Sequence, residues 1–207
     1  GALAGMSPGT ALVDHTTASQ QLAMELASAC TAAGVSFLDA PVSGGQAGAE
    51  NAALTVMLGG SEGDYQKIRS LLDIYAKKTA LMGPVGAGQL TKMVNQICIA
   101  GVLQGLAEGV HFAQVAGLDV DAVVDVISQG AAQSWQMNNR AATMAQDTYD
   151  FGFAVDWMRK DLGIALDTGR ELNARLPMTA LVDQFYADVQ SMGGGRWDTS
   201  SLLRRLT

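Results

Sequence analysis

A lysine follows a glycine-rich turn in the segment GPVGAGQLTKMVNQ, which runs from Gly83 to Gln96. Glycines before a lysine are typical of phosphate-binding loops, but two such motifs are absent. A loop of the GxxxxGK[ST] type needs lysine directly after its second glycine, and Gln89 stands there instead. A loop of the GxGxxG type needs glycine or alanine three residues after Gly88, where this chain has Thr91. Lys92 therefore needs another chemical explanation.

Lys92 falls in a long predicted helix, Gln89–Ala116. Lys92, Asn95 and Gln96 share one face at i, i+3, i+4 spacing, and both faces are otherwise apolar, which predicts a helix buried all round. A lysine there must extend to solvent, find a partner or lose its proton. Two interpretations stay open from the helix alone: a solvated lysine near a helix start, or an acid–base group facing an interdomain cleft, where Asn95 orients a ligand.

The tripeptide Ser43-Gly44-Gly45 follows a predicted strand that ends at Pro41. Ligands of open α/β sheets bind at the carboxyl ends of strands. Glycines let main-chain N–H groups approach an anion, and the serine hydroxyl adds a donor, so a small carboxylate is the expected ligand. An ordinary Ser-Gly-Gly turn is the simpler alternative when these three residues are considered alone.

The elements that position these residues change character at Gly86–Gly88. Strand and helix patterns alternate before this point, and only helical patterns follow it. Ser19, Ser61 and Asp119 are predicted helix N-caps. The predicted strands are 10–17, 35–41, 53–60 and 79–83. The later predicted helices, beyond the long one, are 119–128, 155–174, 178–192 and a terminal helix within 197–207. An α/β unit is therefore expected before an all-α unit.

Composition narrows the classes of function. The net charge is −7 and the 13 basic residues form no run, which excludes a nucleic-acid surface. No apolar run reaches the roughly 18 residues of a membrane span, so no membrane role is expected. Cys30 and Cys98 lie in apolar helical contexts and no signal peptide is present, which favours the cytoplasm. His15 and His111 are too isolated for a metal site.

Three segments stand in the order and rough spacing of the β-hydroxyacid dehydrogenases: DAPVSGGQAGAENAALTVMLGG, GPVGAGQLTKMVNQ and KDLGIALDTGRE. VDHTTAS is similar to a strand end of that family's nucleotide domain. The resemblance covers essentially the whole chain. Within this family, the chain is similar to 3-hydroxyisobutyrate dehydrogenase, tartronate semialdehyde reductase and their relatives. It implies that residues 1–87 form a partial Rossmann-like sheet, the C-terminal part of an NAD(P)-binding domain. Residues 88–207 would form an all-α substrate and dimerisation domain, built on a long interdomain helix.

The resemblance also implies roles for individual residues. Lys92 matches the family's catalytic lysine, a general acid in reduction and a general base in oxidation, while hydride moves to or from NAD or NADP. The loop Ser43–Gly45 matches the substrate-carboxylate loop, and Asn95 matches an amide that orients the substrate. Thr17 is similar to a nicotinamide-side contact, and Lys160 to a lysine that closes over the cofactor. The family's oligomers imply a homodimer or homotetramer formed through the helical domain.

The matched helix also narrows the substrate. The related 6-phosphogluconate dehydrogenases carry His-Asn after KMV and a glutamate three residues beyond, where this chain has Asn95, Gln96 and Ile99. No cluster of basic residues suits a sugar phosphate. A short unphosphorylated β-hydroxy acid and its semialdehyde or keto acid fit better.

The family's amino-terminal phosphate-binding loop does not occur in this sequence. Such loops hold the dinucleotide pyrophosphate, so we expect the C-terminal portion of a dehydrogenase, with little or no activity by itself. The alternative is a catalytically inactive binding or dimerisation module derived from the same fold. Such a module has no need of Lys92, Ser43 and Asn95.

Overall fold

The computed structural model describes every residue from Gly1 to Thr207 and divides into two compact units. The sheet unit is Gly1–Asn95 and the helical unit is Gln96–Thr207. This division falls inside the long helix, further along the chain than the predicted boundary between residues 87 and 88. The cause is local, because the first turn of that helix is hydrogen-bonded to the sheet unit through Asp39.

The sheet unit is a five-stranded mixed sheet with three helices. The strands are β1 (Ala11–Asp14), β2 (Ser36–Asp39), β3 (Val42–Ser43), β4 (Leu54–Gly59) and β5 (Ala76–Gly83). The helices are α1 (Gln20–Ala32), α2 (Gly45–Glu50) and α3 (Glu62–Leu72), preceded by a 3-10 turn at Ala2–Gly5. β1 and β2 are parallel, as are β4 and β5, whereas β2 and β3 both run antiparallel to β4. The α/β character expected of this part of the chain is confirmed.

Two helices of the sheet unit start at their predicted caps. The Ser19 hydroxyl accepts a hydrogen bond from the Leu22 amide, and the Ser61 hydroxyl accepts one from Asp64. Each satisfies a main-chain donor that the first helical turn would otherwise leave unpaired. The two-residue strand β3 and the six-residue helix α2 were not predicted, because neither is long enough to show a hydrophobic period.

The helical unit contains no strand longer than an isolated bridge, as predicted. Its helices are α4 (Ala87–Val115, which starts in the sheet unit), α5 (Val120–Ile127), α6 (Trp135–Ala145), α7 (Val155–Glu171) and α8 (Pro177–Ser191). A 3-10 helix at Thr199–Arg205 ends the chain, capped by Asp198. One continuous core packs α4 against α6, α7 and α8, and it includes Leu103, Met144, Leu162 and Tyr186. Helix α6 was missed, although Ser134 caps it by accepting from the Met137 amide.

Helix α4 is not buried all round, contrary to the prediction. Val94, Val102 and Phe112 are 61%, 38% and 71% exposed. An apolar side chain does not by itself establish burial, since much of a folded surface is apolar. The membrane prediction was also too strict, because α4 is long and apolar enough to span a bilayer by composition alone. Its apolar face nevertheless contributes Ala100, Leu103 and other residues to the core of the helical unit.

Candidate active site

The glycine-rich turn seats helix α4 on the sheet. Asp39 is fully buried at the end of β2, and its two carboxylate oxygens accept the main-chain N–H groups of Gly86 (2.7 Å) and Gln89 (2.9 Å). A Cβ at Gly88 would collide with the Met57 carbonyl and lie 2.7 Å from Asp39 Oδ2. The first turn of the helix is therefore capped by a side chain from the sheet, and glycine permits the close approach. No phosphate is needed to explain this turn.

Gln89 connects the same first turn to the segment that follows β1. Its Nε2 donates to the Thr16 carbonyl at 2.7 Å, and its Oε1 accepts the Ala18 amide at 2.9 Å. The side chain is 1% exposed. Thr17, the predicted nicotinamide-side residue, lies between these two anchored neighbours and is half-buried.

Lys92 is buried one turn further along α4, with 7% of the residue exposed. Its ammonium donates to the main-chain carbonyl of Val42 at 2.9 Å. Val42 directly precedes Ser43 in β3, so the structure brings the predicted acid–base lysine to the start of the predicted carboxylate loop. This geometry removes the interpretation of Lys92 as an ordinary solvated lysine. Asn95 is half-buried on the same helix, at the last position of the sheet unit.

The Ser43–Gly45 segment is a strand end that turns directly into a helix. Ser43 pairs with Thr55 of β4, and Gly44 occupies the N-cap position of the short helix α2. The φ angles of Gly44 and Gly45 are +131° and +60°, in a region that other residues adopt at a cost. A Cβ at Gly44 would also press on Leu54. The glycines are therefore needed for the shape of the loop, whatever the loop binds.

His15 braces the strand ends beside this loop. Its Nδ1 lies 2.6 Å from the Ala40 carbonyl and its Nε2 lies 2.9 Å from the Tyr75 hydroxyl. Because a carbonyl only accepts, Nδ1 carries the proton in the neutral ring, and Nε2 accepts from tyrosine. Burial raises the pKa of the Tyr75 hydroxyl, which keeps it a donor. This structural role of His15 was not predicted, because Tyr75 lies 60 residues away in the chain.

Lys160 belongs to the helical unit. On α7 its Nζ lies 3.0 Å from Oδ1 of Asp161, a carboxylate that is 2% exposed. The other oxygen of Asp161 accepts a 2.7 Å hydrogen bond from Nε2 of Gln96, itself buried on α4. Gln96, expected to lie beside Lys92 and Asn95 on one polar face, thus serves as a partner of a buried acid within the helical unit.

Asp39 and Gln89 were not recognised from the sequence. A signal for Gln89 existed, because Gln89, Lys92 and Gln96 repeat at i, i+3, i+7 on one face, one turn earlier than the triplet considered. Asp39 carried no local signal. Its partners lie 47 and 50 residues away in the chain.

Two family models together match nearly the whole chain. The NAD binding domain of 6-phosphogluconate dehydrogenase matches residues 1–83. The model described as NAD-binding of NADP-dependent 3-hydroxyisobutyrate dehydrogenase matches residues 86–206.

Individual relatives agree with these models. An uncharacterized oxidoreductase of Shewanella frigidimarina is 64% identical over 206 residues, which are 100% of this chain and 71% of the relative. The 2-(hydroxymethyl)glutarate dehydrogenase of Eubacterium barkeri is 34% identical, over 99% of this chain and 68% of its own length. The crystal structure of a 3-hydroxyisobutyrate dehydrogenase from Salmonella typhimurium superposes with a TM-score of 0.90 at 33% identity, over 99% of this chain and 72% of that one.

The fold, the matched domains and these relatives define an NAD(P)-dependent oxidoreductase. The chain belongs to the 3-hydroxyisobutyrate dehydrogenase family of β-hydroxyacid dehydrogenases. The residues present fit a nicotinamide cofactor, because the first turns of α4 hold both a buried ammonium, at Lys92, and the hydroxyl-bearing segment Thr16–Ala18 after β1.

Proposed function

We propose that this protein interconverts a short unphosphorylated β-hydroxy acid and its semialdehyde or keto acid, with Lys92 as the general acid and base. One observation supports this most directly. The buried ammonium of Lys92 donates a hydrogen bond to the main-chain carbonyl of Val42, the residue before Ser43. This lysine is shielded from solvent and lies beside a loop whose N–H and O–H groups could donate to a substrate carboxylate. Such a setting favours the role of a proton donor over a purely structural role.

The proposed chemistry divides between the two ends of a small substrate. The Ser43 hydroxyl and the main-chain N–H groups of the Gly44–Gly45 turn would hold the carboxylate. Asn95 would orient the reacting oxygen through its amide. The Val42 carbonyl accepts one N–H of the ammonium and so holds Lys92 at the start of the Ser43–Gly45 loop.

In the reductive direction, Lys92 gives a proton to the carbonyl oxygen as that oxygen gains negative charge, and the product is an alcohol. In the oxidative direction the neutral amine takes the hydroxyl proton. A bound nicotinamide cofactor supplies or accepts the hydride at the adjacent carbon. In this proposal Thr17 contacts the nicotinamide side and Lys160, from the helical unit, contacts the cofactor.

The decisive experiment replaces Lys92 in the full-length enzyme. Lys92→Met retains most of the buried apolar stem and removes the ammonium. We expect kcat for short hydroxy acids to fall by about 10²–10⁴-fold, the usual contribution of a general acid–base group. Affinity for NAD(P)H, measured by nicotinamide fluorescence, should remain close to that of the wild type.

Lys78→Met is the matched control, since Lys78 is an exposed lysine on β5 and should tolerate the same change. Full turnover by a correctly folded Lys92→Met enzyme would contradict the assigned role. It would also favour the alternative of a non-catalytic module, which does not depend on this ammonium.

The proposal extends to the assembly. A homodimer or homotetramer formed through the helical unit is supported by large apolar side chains exposed there, among them Phe112 (71%), Val115 (76%) and Val126 (71%). Single exposed apolar residues are common, but several on neighbouring helices mark interaction surfaces.

The compartment predicted from the sequence is the cytoplasm.

A further inference from the structure

Gln89 anchors the residues on both sides of Thr17. The amide nitrogen donates to Thr16 and the amide oxygen accepts from Ala18, so both polar atoms of the side chain are used. The orientation of the amide follows from its partners, because an N–H cannot accept and a carbonyl cannot donate. Asp14 Oδ1 adds a third contact by accepting the Thr16 amide at 2.9 Å. Thr17 is therefore carried on a short segment with fixed ends.

Gln89 is itself rigidly placed. Its main-chain N–H donates to the buried Asp39 carboxylate, and its side chain is 1% exposed. Lys92 lies three residues later on the same helical face. A displacement of the Thr17 segment relative to Lys92 would therefore require Gln89 to lose hydrogen bonds in a buried setting, which is costly.

We infer that Gln89 is a positioning residue that sets the distance between the Thr17 segment and the Lys92 ammonium. The inference rests on the proposed function, in which Thr17 faces the nicotinamide side and Lys92 supplies the proton. The hydride reaches the carbon and the proton reaches the oxygen of one carbonyl. The Thr17 segment and the Lys92 ammonium must therefore be held at a fixed distance from each other. Reacting atoms need to stand about 3–3.5 Å apart, and small displacements are expensive in rate.

Glutamine is suited to this task by its chemistry. The two main-chain partners need one donor and one acceptor at a fixed separation, and a primary amide supplies both. A glutamate keeps the length and the acceptor for Ala18 but presents an oxygen to the Thr16 carbonyl. A methionine keeps the approximate volume and loses both hydrogen bonds.

The test uses the full-length enzyme with Gln89→Met and Gln89→Glu. For Gln89→Met we expect kcat to fall by roughly tenfold to a hundredfold, the scale of a small misplacement of reacting groups. The primary isotope effect with NAD(P)H deuterated at the transferred position should rise, because hydride transfer becomes more rate-limiting. KM for the hydroxy acid should stay unchanged, since the carboxylate loop is not altered. Gln89→Glu should also lower kcat and raise the isotope effect, because its carboxylate cannot donate to the Thr16 carbonyl.

Gln104→Met is the matched control. Gln104 is also a buried glutamine of α4, 9% exposed, but its Nε2 donates to Glu108 within the same helix. It should retain the kcat and the isotope effect of the wild type. A general weakening of α4 would affect Gln104→Met and Gln89→Met alike.

Wild-type kcat and isotope effect in folded Gln89→Met would overturn the inference and leave the proposed function standing. If Gln89→Met does not fold, Gln89→Glu decides by the same two measurements. If the wild-type enzyme itself turns over no short hydroxy acid, the proposed function fails separately. Gln89 is then judged by NADH fluorescence titration, where weaker binding in Gln89→Met than in Gln104→Met supports its role and equal binding refutes it.

Discussion

Asp39 joins the end of β2 to the first turn of α4. The carboxylate is fully buried, and both oxygens accept N–H groups from the start of α4. A helix N-terminus attracts negative charge, which offsets part of the cost of burying this group. Removing the side chain would leave buried donors unpaired, and such donors are expensive.

Asp39→Ala should therefore lower the free energy of unfolding by about 2–4 kcal/mol, from a lost cap and buried unsatisfied donors together. Urea denaturation monitored by circular dichroism measures this. Asp119→Ala removes the cap of α5, where the partners are exposed, and should cost only about 1 kcal/mol. Equal losses in the two variants would show that burial of Asp39 adds nothing.

Asp64 provides a pH-dependent contribution to stability. Hydrogen bonds from Lys67, then from Ser36 and Ser61, lower the pKa of this carboxyl from 3.8 to about 2. A depressed folded-state pKa stabilises the protein above pH ~4, and this stabilisation is lost as the pH falls towards about 2.

Asp64→Asn should accordingly be less stable than the wild type at neutral pH, and the difference should shrink between about pH 4 and pH 2. Thermal unfolding across that range tests the expectation. In a Lys67→Met background the effect of Asp64→Asn should be smaller, since the largest cause of the shift is gone. A difference that does not vary with pH would contradict the assignment.

At the scale of elements, the glycines of α4 separate into two kinds. A Cβ at Gly88 would meet main-chain atoms of the sheet, whereas a Cβ at Gly105 would meet nothing within 4 Å. Gly88 lies in the first turn of α4 and Gly105 in its interior, where the helix propensity of alanine has its full effect. The two substitutions therefore compare a position in close contact with the sheet with an open one.

Gly88→Ala should destabilise the protein by about 1–3 kcal/mol, as overpacking usually does, and should lower activity by shifting Lys92. Gly105→Ala should be neutral or stabilising by up to about 1 kcal/mol, because alanine favours the helix. Midpoints of urea unfolding and kcat give both comparisons. A stable, fully active Gly88→Ala enzyme would contradict this expectation. It would mean that a displacement of α4 away from the sheet lowers neither stability nor activity.

The elements that the sequence predicts correctly are those with local signals. The caps Ser19, Ser61 and Asp119 and the helix that starts at Pro177 depend on neighbours a few residues away. Burial depends on distant packing, so the exposure of Val94 was wrongly predicted. In the candidate site, the roles of Lys92 and Ser43–Gly45 stay predictions made through family segments. The Val42 contact, the Asp39 cap and the Gln89 anchors depend on tertiary structure and had no local signal strong enough to predict them.

At the scale of the molecule, the two units carry different parts of the proposed chemistry. The sheet unit contains most of the proposed site residues, namely Lys92, Asn95, Thr17 and the Ser43–Gly45 loop. The helical unit contains Lys160. The exposed apolar residues are also unevenly placed, with the most exposed of them, Val115, at the end of α4.

A double variant, Phe112→Ser with Val115→Ser, tests the proposed assembly. Light scattering after size exclusion should give an oligomer for the wild-type enzyme and a smaller mass for this variant. Ile74→Ser in the sheet unit, where Ile74 is 69% exposed, is the matched control and should leave the mass unchanged. A monomeric wild-type enzyme would refute the proposed dimer or tetramer.

The Asp39 cap also bears on the order in which the protein forms during synthesis. Strand β2 leaves the ribosome 47 residues before the Gly86 amide that it will cap. The Asp39 carboxylate therefore stays hydrated, without its two amide partners, during the synthesis of β4 and β5. Because the chain is synthesised from its amino terminus, the start of α4 can be capped only after β2 and the Gly86–Gln89 turn have both left the ribosome. The helix that carries the proposed catalytic lysine would therefore be set in place last within its unit.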